Sequence, residues 1–167
     1  LFTAEIIETH DRKEFYRQLN MYLVQLIEEE PDWLASLCNA ASLLYLLIQD
    51  INWAGFYLYK EGQLILGPFQ GKPACTRIAL GRGVCGTAAQ TREIQIVEDV
   101  DLFPGHIACD AASRSEIVIP IIKGERLIGV LDIDSPSKAR FDDEDARGLT
   151  DFIDMLNRHI NWPEEFK

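Results

Sequence analysis

The sequence predicts an α+β fold, a central antiparallel sheet with helices packed on it. Three observations carry this. The first third of the chain holds two amphipathic stretches at helical spacing. From residue 51 the texture changes to short strand-like runs, paired through tight turns rather than crossover helices. A final amphipathic helix follows the last strand. The 167 residues suffice for one domain with its own core, so 1–167 is read as a single unit.

The elements follow in order. Residues 11–30 put Phe15, Leu19, Tyr22, Leu23, Leu26 and Ile27 on one helical face. Pro31 ends that helix, and Asp32 is placed to cap the next. The second helix runs to about Leu47, with Leu34, Leu37, Ala41, Leu44 and Ile48 directed inward. The aromatic-rich run Trp53–Tyr59 suits a pleated surface. Glu61-Gly62 turns the chain into a return strand at Leu64–Leu66, and Gly67–Pro73 reads as a loop. A glycine-rich segment at Gly81–Gly86 opens a short helix through Gln90, and Ile94–Val97 is a short strand. Residues 98–114 read as a long loop, of the kind that is usually functional or disordered. Ile117–Ile121 and Leu127–Asp132 form a second hairpin around Lys123-Gly124. The last helix begins near Phe141, carries Asp142, Asp143 and Glu144 in its first turn, and continues to about His159.

Composition narrows the partners. With 27 acidic against 16 basic side chains, the formal charge of −11 repels phosphate backbones and anionic lipid. Nucleic acid and membrane are therefore poor partners. The N-terminus has no basic head followed by an apolar run, and the run near Leu43–Ile48 is too short to cross a bilayer. A cytoplasmic location is expected, and there the four cysteines are not a disulfide scaffold.

Each cysteine then poses a question of reactivity or packing. Cys38, inside the second helix between Leu37 and Ala40, reads as a buried structural residue. Cys75, Cys85 and Cys109 fall at loops and element ends, where reactive groups concentrate. Thiol redox chemistry on a small molecule is the leading reading. A zinc set from these three thiols and His106 is the weaker one, because the close cysteine pairs of structural zinc sites are missing. The Gly81-Arg82-Gly83 segment lacks the endings of a phosphate-binding loop.

A second constellation is acidic. Period two puts Asp132 and Asp134 on one face of a strand, and Glu116 begins the neighbouring strand. Clustered carboxylates raise one another's pKa, so the group either holds a cation or shares a proton. Along the first strand Trp53 and Tyr57 point together, and Phe56 points the other way.

These residues sit within longer motifs that occur in one order. They are Asn52-Trp53-Ala54-Gly55-Phe56-Tyr57, Gly67-Pro68-Phe69-Gln70-Gly71, Gly81-Arg82-Gly83-Val84-Cys85-Gly86, Gly105-His106-Ile107-Ala108-Cys109, Ser113-Arg114-Ser115-Glu116-Ile117 and Gly129-Val130-Leu131-Asp132-Ile133-Asp134-Ser135. From about residue 11 to about residue 160 the chain closely resembles the free methionine-(R)-sulfoxide reductases, which are built on a GAF domain. Residues 1–10 and 163–167 lie outside the resemblance as an extension and a tail.

The resemblance implies a GAF-type sheet of about six strands and a homodimer. It implies thiol-dependent reduction of free L-methionine-(R)-sulfoxide to methionine, through a cysteine sulfenic acid and an intramolecular disulfide reset by thioredoxin. It assigns the nucleophile to Cys109 and the usual resolving role to Cys75, and it gives Cys85 an assisting part, either as a second resolving thiol or, in some members, as a catalytic one. It gives substrate contacts to Trp53, Tyr57, Glu116, Asp132 and Asp134, and it calls for no metal, flavin or nucleotide cofactor. A non-enzymatic GAF module that binds a ligand or senses oxidants is the alternative. One physical tension accompanies the assignment: carboxylates suppress a nearby thiolate unless a bound ammonium, a protonated acid or Arg114 offsets them.

Overall fold

Alternation of apolar side chains splits the strands into two faces, and each face builds its own core. The computed structural model describes residues 2–106 and 109–166; Leu1, Ile107, Ala108 and Lys167 lie outside the described residues. The strands are β1 (Trp53–Lys60), β2 (Gln63–Gly71), β3 (Arg77–Ala79), β4 (Gln95–Val97), β5 (Ser115–Lys123) and β6 (Arg126–Ser135). They form one six-stranded sheet in the order β3-β2-β1-β6-β5-β4, with every neighbouring pair antiparallel. The helices are α1 (Arg12–Ile27), α2 (Trp33–Leu47), α3 (Gly83–Thr91) and α4 (Asp143–His159).

On one face Phe56, Leu58, Ile117, Ile119, Ile121, Leu131 and Ile133 pack against α1, α2 and α4. On the other, Trp53, Tyr57, Leu64, Val118 and Val130 pack against Val84, Cys85, Ala88 and Ala89 of α3. The predicted opposition of Phe56 to Trp53 and Tyr57 therefore holds. The short α3 leaves part of its face uncovered, and loops close over the remainder. Gly86 allows α3 to sit this low: a Cβ there would lie 2.5 Å from the Ala79 carbonyl oxygen.

The caps explain the helix starts. Asp32 accepts from Ala35 N at 2.7 Å, as expected. Asp142 accepts from Glu144 N and Asp145 N while Asp145 accepts from Asp142 N, a reciprocal capping box that starts α4.

Several expectations are corrected. The segment 67–71 is strand, not loop. Gly55 pairs with Phe69 and Tyr57 with Leu66, so Gly67-Pro68 bulges opposite Phe56. β3 is a three-residue strand, Arg77–Ala79, whose single buried apolar side chain, Ile78, gives no alternation to read. The long loop contains a 3-10 turn at Val100–Leu102. Leu34 is exposed in the first turn of α2. Cys38 is exposed rather than buried, because it lies on the solvent stripe of α2 with Leu34, Ser42 and Tyr45. At the front, Ile7 is buried against the core and Phe2 stands edge-on to Tyr22 at 5.8 Å.

Candidate active site

The strand register builds the site before any loop is considered. Trp53 of β1 pairs with Asp134 of β6, and Asp134 pairs with Glu116 of β5. One row across three strands thus carries an indole and two carboxylates on the same face. In the row two residues further along β6, Asp132 lies between Gly55 and Val118. Asp132 and Glu116 are both 6% exposed, while Asp134 keeps some contact with solvent. Cys85, projecting from α3, covers this floor, its Sγ 3.9 Å from Glu116 Oε2.

Two loops form the rim. The Lys72–Cys75 segment is held by aromatic side chains: Trp53 Nε1 donates to the Lys72 carbonyl at 3.1 Å, and the Tyr57 hydroxyl donates to the Cys75 carbonyl at 2.9 Å. The indole is stacked between Tyr57 and Phe69, with centroids 5.9 and 5.2 Å away. Gly71, at φ +130°, makes the close approach possible, since a Cβ there would lie 2.6 Å from the indole. The opposite rim is tied down by Asn52, whose Nδ2 donates to Asp110 Oδ2 at 3.0 Å and Ser113 Oγ at 3.1 Å. A disulfide joins Cys75 of one rim to Cys109 of the other, with their Cα atoms 5.9 Å apart.

The pocket so formed is lined by Trp53, Tyr57, Cys85, Cys109, Glu116, Asp132 and Asp134, with Lys72, Arg82 and His106 at its walls. Its free volume in this disulfide-closed form is small, about 50 Å³. All eight sequence-predicted site residues line it or, in the case of Cys75, close it through the disulfide. The anchoring role of Asn52 and the wall position of Lys72 were not foreseen; the only sequence signal was their place inside the quoted motifs or directly beside them. Arg114 is not part of the lining. It lies at the surface, 3.9 Å from Asp101.

The electrostatics are those of crowded, poorly hydrated acids. Burial, and then the charges of Asp132 and Asp134, push the Glu116 carboxyl well above its ordinary range. Burial and the Asp132 charge do the same to Asp134. Asp132 is also raised by burial, but hydrogen bonding from Glu116 and Cys85 works against the shift. The three carboxyls titrate as one coupled cluster displaced upward, and Asp132 is the member whose shift its neighbours' hydrogen bonds oppose. Burial and the Asp132 charge raise the Cys85 thiol well above its ordinary range, so it stays S–H. The zinc set weighed from sequence does not assemble in this form, because the disulfide occupies two of its thiols. A different trio converges instead: Cys85, Glu116 and Asp132 bring ligand atoms within 4.8 Å of one another.

Comparison with known proteins agrees with this geometry. The GAF domain family matches residues 23–160. The free methionine-R-sulfoxide reductase of Escherichia coli is 53% identical over 148 residues, covering 89% of this chain and 90% of its own. The chain belongs to the free methionine-(R)-sulfoxide reductase family. A structure of the Neisseria meningitidis reductase in complex with its substrate superposes with a TM-score of 0.89 at 42% identity, covering 93% of this chain and 94% of that one. The reduced form of the Staphylococcus aureus protein fRMsr gives 0.85 at 47% identity, covering 94% and 99%. The stretch matched by the GAF family, residues 23–160, contains both rims of the pocket and its acidic floor.

Proposed function

We propose that this chain reduces free L-methionine-(R)-sulfoxide to methionine at the acid-floored pocket, with Cys109 as nucleophile. The observation that carries the reading is a disulfide closing directly over a buried acidic cluster that no lysine or arginine bridges among the described residues. The two thiols that close this bond supply two electrons when reduced, and the acids recognise a cationic small molecule.

The chemistry proceeds as follows. The Cys109 thiolate attacks the sulfoxide sulfur while the sulfoxide oxygen takes up a proton. The oxygen passes to Cys109 as sulfenic acid, and the thioether departs as methionine. The Cys75 thiol attacks the sulfenic sulfur, water leaves, and the Cys75–Cys109 disulfide forms. The sulfoxide is reduced by two electrons and the pair of thiols is oxidised by two. An external dithiol protein of the thioredoxin type then returns both electrons. Cys85, held as a thiol on the pocket floor, assists without being consumed.

The acids divide the remaining work. Glu116, held protonated by burial, is the proton donor to the sulfoxide oxygen. Asp132, with Asp134 beside it, accepts the substrate's α-ammonium. A bound ammonium restores the charge balance that a Cys109 thiolate would otherwise disturb, and Lys72, Arg82 and His106 at the walls act in the same direction. Trp53 packs on the S-methyl end. A peptide-bound sulfoxide lacks the ammonium and leaves the buried acids unpaired, which selects the free amino acid. The reading includes a cytoplasmic setting, where thioredoxin operates, and a homodimeric working form as in the family.

The test offers free (R), free (S) and peptide-bound methionine sulfoxide to the enzyme with thioredoxin as reductant. Turnover of the free (R) form alone supports the reading; equal turnover of all three overturns it. An oxidant-sensing GAF module would form the disulfide with peroxide and release no methionine under dithiothreitol.

A further inference from the structure

The pocket floor contains one buried atom that the protein leaves without a partner. Asp132 is 6% exposed, and its Oδ1 accepts no hydrogen bond from the described residues. An orphaned carboxylate oxygen in a buried site costs free energy unless something else meets it. Beside this carboxylate stand a thiol and a second carboxyl: Cys85 Sγ, one oxygen of Glu116 and one oxygen of Asp132 lie within 4.8 Å of one another.

We propose that Cys85, Glu116 and Asp132 form a binding site for a thiophilic divalent cation of the zinc class, and that such an ion inhibits the enzyme by occupying the substrate's ammonium position. The donor set fits such an ion. A tetrahedral zinc with one thiolate at about 2.3 Å and two carboxylate oxygens at about 2.0–2.2 Å places its ligands roughly 3.3–3.6 Å apart. The observed Sγ to Oε2 separation is 3.9 Å and the whole set lies within 4.8 Å, so the three side chains draw together by up to about 1–1.5 Å to close on the ion. A thiolate beside two carboxylates favours zinc-class ions over magnesium or calcium, which prefer all-oxygen shells. The three residues leave a fourth position for water.

Binding displaces the Cys85 S–H proton and the Glu116 proton to solvent, so affinity rises with pH. The site does not need the rim cysteines. It persists when Cys75 and Cys109 are joined, because Cys85 remains a free thiol in that form. The ion site stands on this geometry alone, and only the inhibition rests on the sulfoxide reading.

The experiment uses the full-length chain with the Cys75–Cys109 disulfide intact and Cys38→Ser to remove the exposed surface thiol. Cobalt(II) is added as a spectroscopic probe at neutral pH. The expected result is one cobalt per chain, with a thiolate-to-metal charge-transfer band and tetrahedral ligand-field absorption. Adding Cys85→Ser abolishes the band, and adding Asp132→Asn weakens binding by roughly tenfold or more. Absence of the band, or an equal band with Cys85→Ser, overturns the site. X-ray absorption of the zinc-loaded Cys38→Ser protein keeps the test independent of any pocket variant. One sulfur in the shell supports the site, and an all-oxygen or nitrogen shell overturns it. Competition by free methionine for bound cobalt links the site to the substrate position. Undisplaced cobalt with normal sulfoxide turnover removes the inhibition claim and leaves both the ion site and the reductase reading standing.

Discussion

Two buried carboxylate clusters occupy opposite sides of the sheet, and the protein treats them in opposite ways. At the junction of α1 and α4, Asp145 is 1% exposed and surrounded by donors. Arg12 Nη2 donates to it at 2.8 Å, the Tyr16 hydroxyl at 2.7 Å and Asp142 N at 3.0 Å, and Arg140 lies 3.7 Å away. In the pocket, Glu116, Asp132 and Asp134 face one another and a thiol, with no arginine or lysine bridged to them among the described residues. The first cluster compensates its charge internally and ties the first helix to the last. The second leaves its compensation to a ligand. Buried charge that is paired serves the fold, whereas buried charge left unpaired marks the place where something binds.

The largest expected effect sharpens the functional side. Cys109→Ser lowers turnover by roughly a thousandfold or more with any reductant, because the oxygen of serine cannot accept the sulfoxide oxygen. Steady-state methionine release checks this. Glu116→Gln lowers kcat by about 10²–10⁴, as expected for loss of a general acid, yet raises stability at neutral pH. Urea unfolding alongside kinetics reads both changes, and a loss of stability would break the contrast between clusters.

On the other side, Asp145→Ala takes the acceptor from the Tyr16 hydroxyl and one of its two carboxylates from Arg12, and costs about 3–5 kcal/mol of stability. The kcat of the folded fraction is expected to stay near wild type. A drop in kcat without loss of stability would show that the junction is not purely structural.

The pH profiles separate the clusters again. Pocket carboxyls have folded pKa values raised above their unfolded values, about 4.3 for Glu116 and about 3.9 for Asp134. The folded state then binds more protons, so stability declines as pH rises from these unfolded values through the raised range. Asp142 at the junction is held below its ordinary value, first by its hydrogen bond from Arg12, and its contribution is lost as pH falls through that lowered value. Wild type therefore loses stability on the alkaline side through the pocket and on the acid side through the junction. Glu116→Gln flattens only the alkaline limb, which urea midpoints across pH will show. The smallest effect is Cys38→Ser, expected to change stability by less than about 0.5 kcal/mol because the residue is exposed.

Much of this contrast was visible in the sequence, and what escaped did so for physical reasons. Period two placed Asp132 with Asp134 and Trp53 with Tyr57, since a pleated strand leaves a side chain little choice of face. Strand pairing placed Glu116 beside Asp134 through the hairpin turn. The bulge at Gly67-Pro68 hid the far half of β2, because residues that normally end strands here sit opposite Phe56 without needing a ladder hydrogen bond. Cys38 was misjudged from its apolar neighbours when helical phase was what mattered: one residue beyond buried Leu37 already faces solvent. The capping acids of α4 were legible as dipole partners. Their pairing with Arg12, 130 residues distant for Asp142, is tertiary and has no local signature.

The most direct test takes the fully reduced protein through one turnover with free methionine-(R)-sulfoxide, quenches it with acid and an alkylating agent, and maps the cysteines by mass spectrometry. The account predicts one methionine released per chain, a single Cys75–Cys109 disulfide, and alkylated Cys38 and Cys85. A disulfide formed without methionine release, or a dominant bond through Cys85, would contradict it.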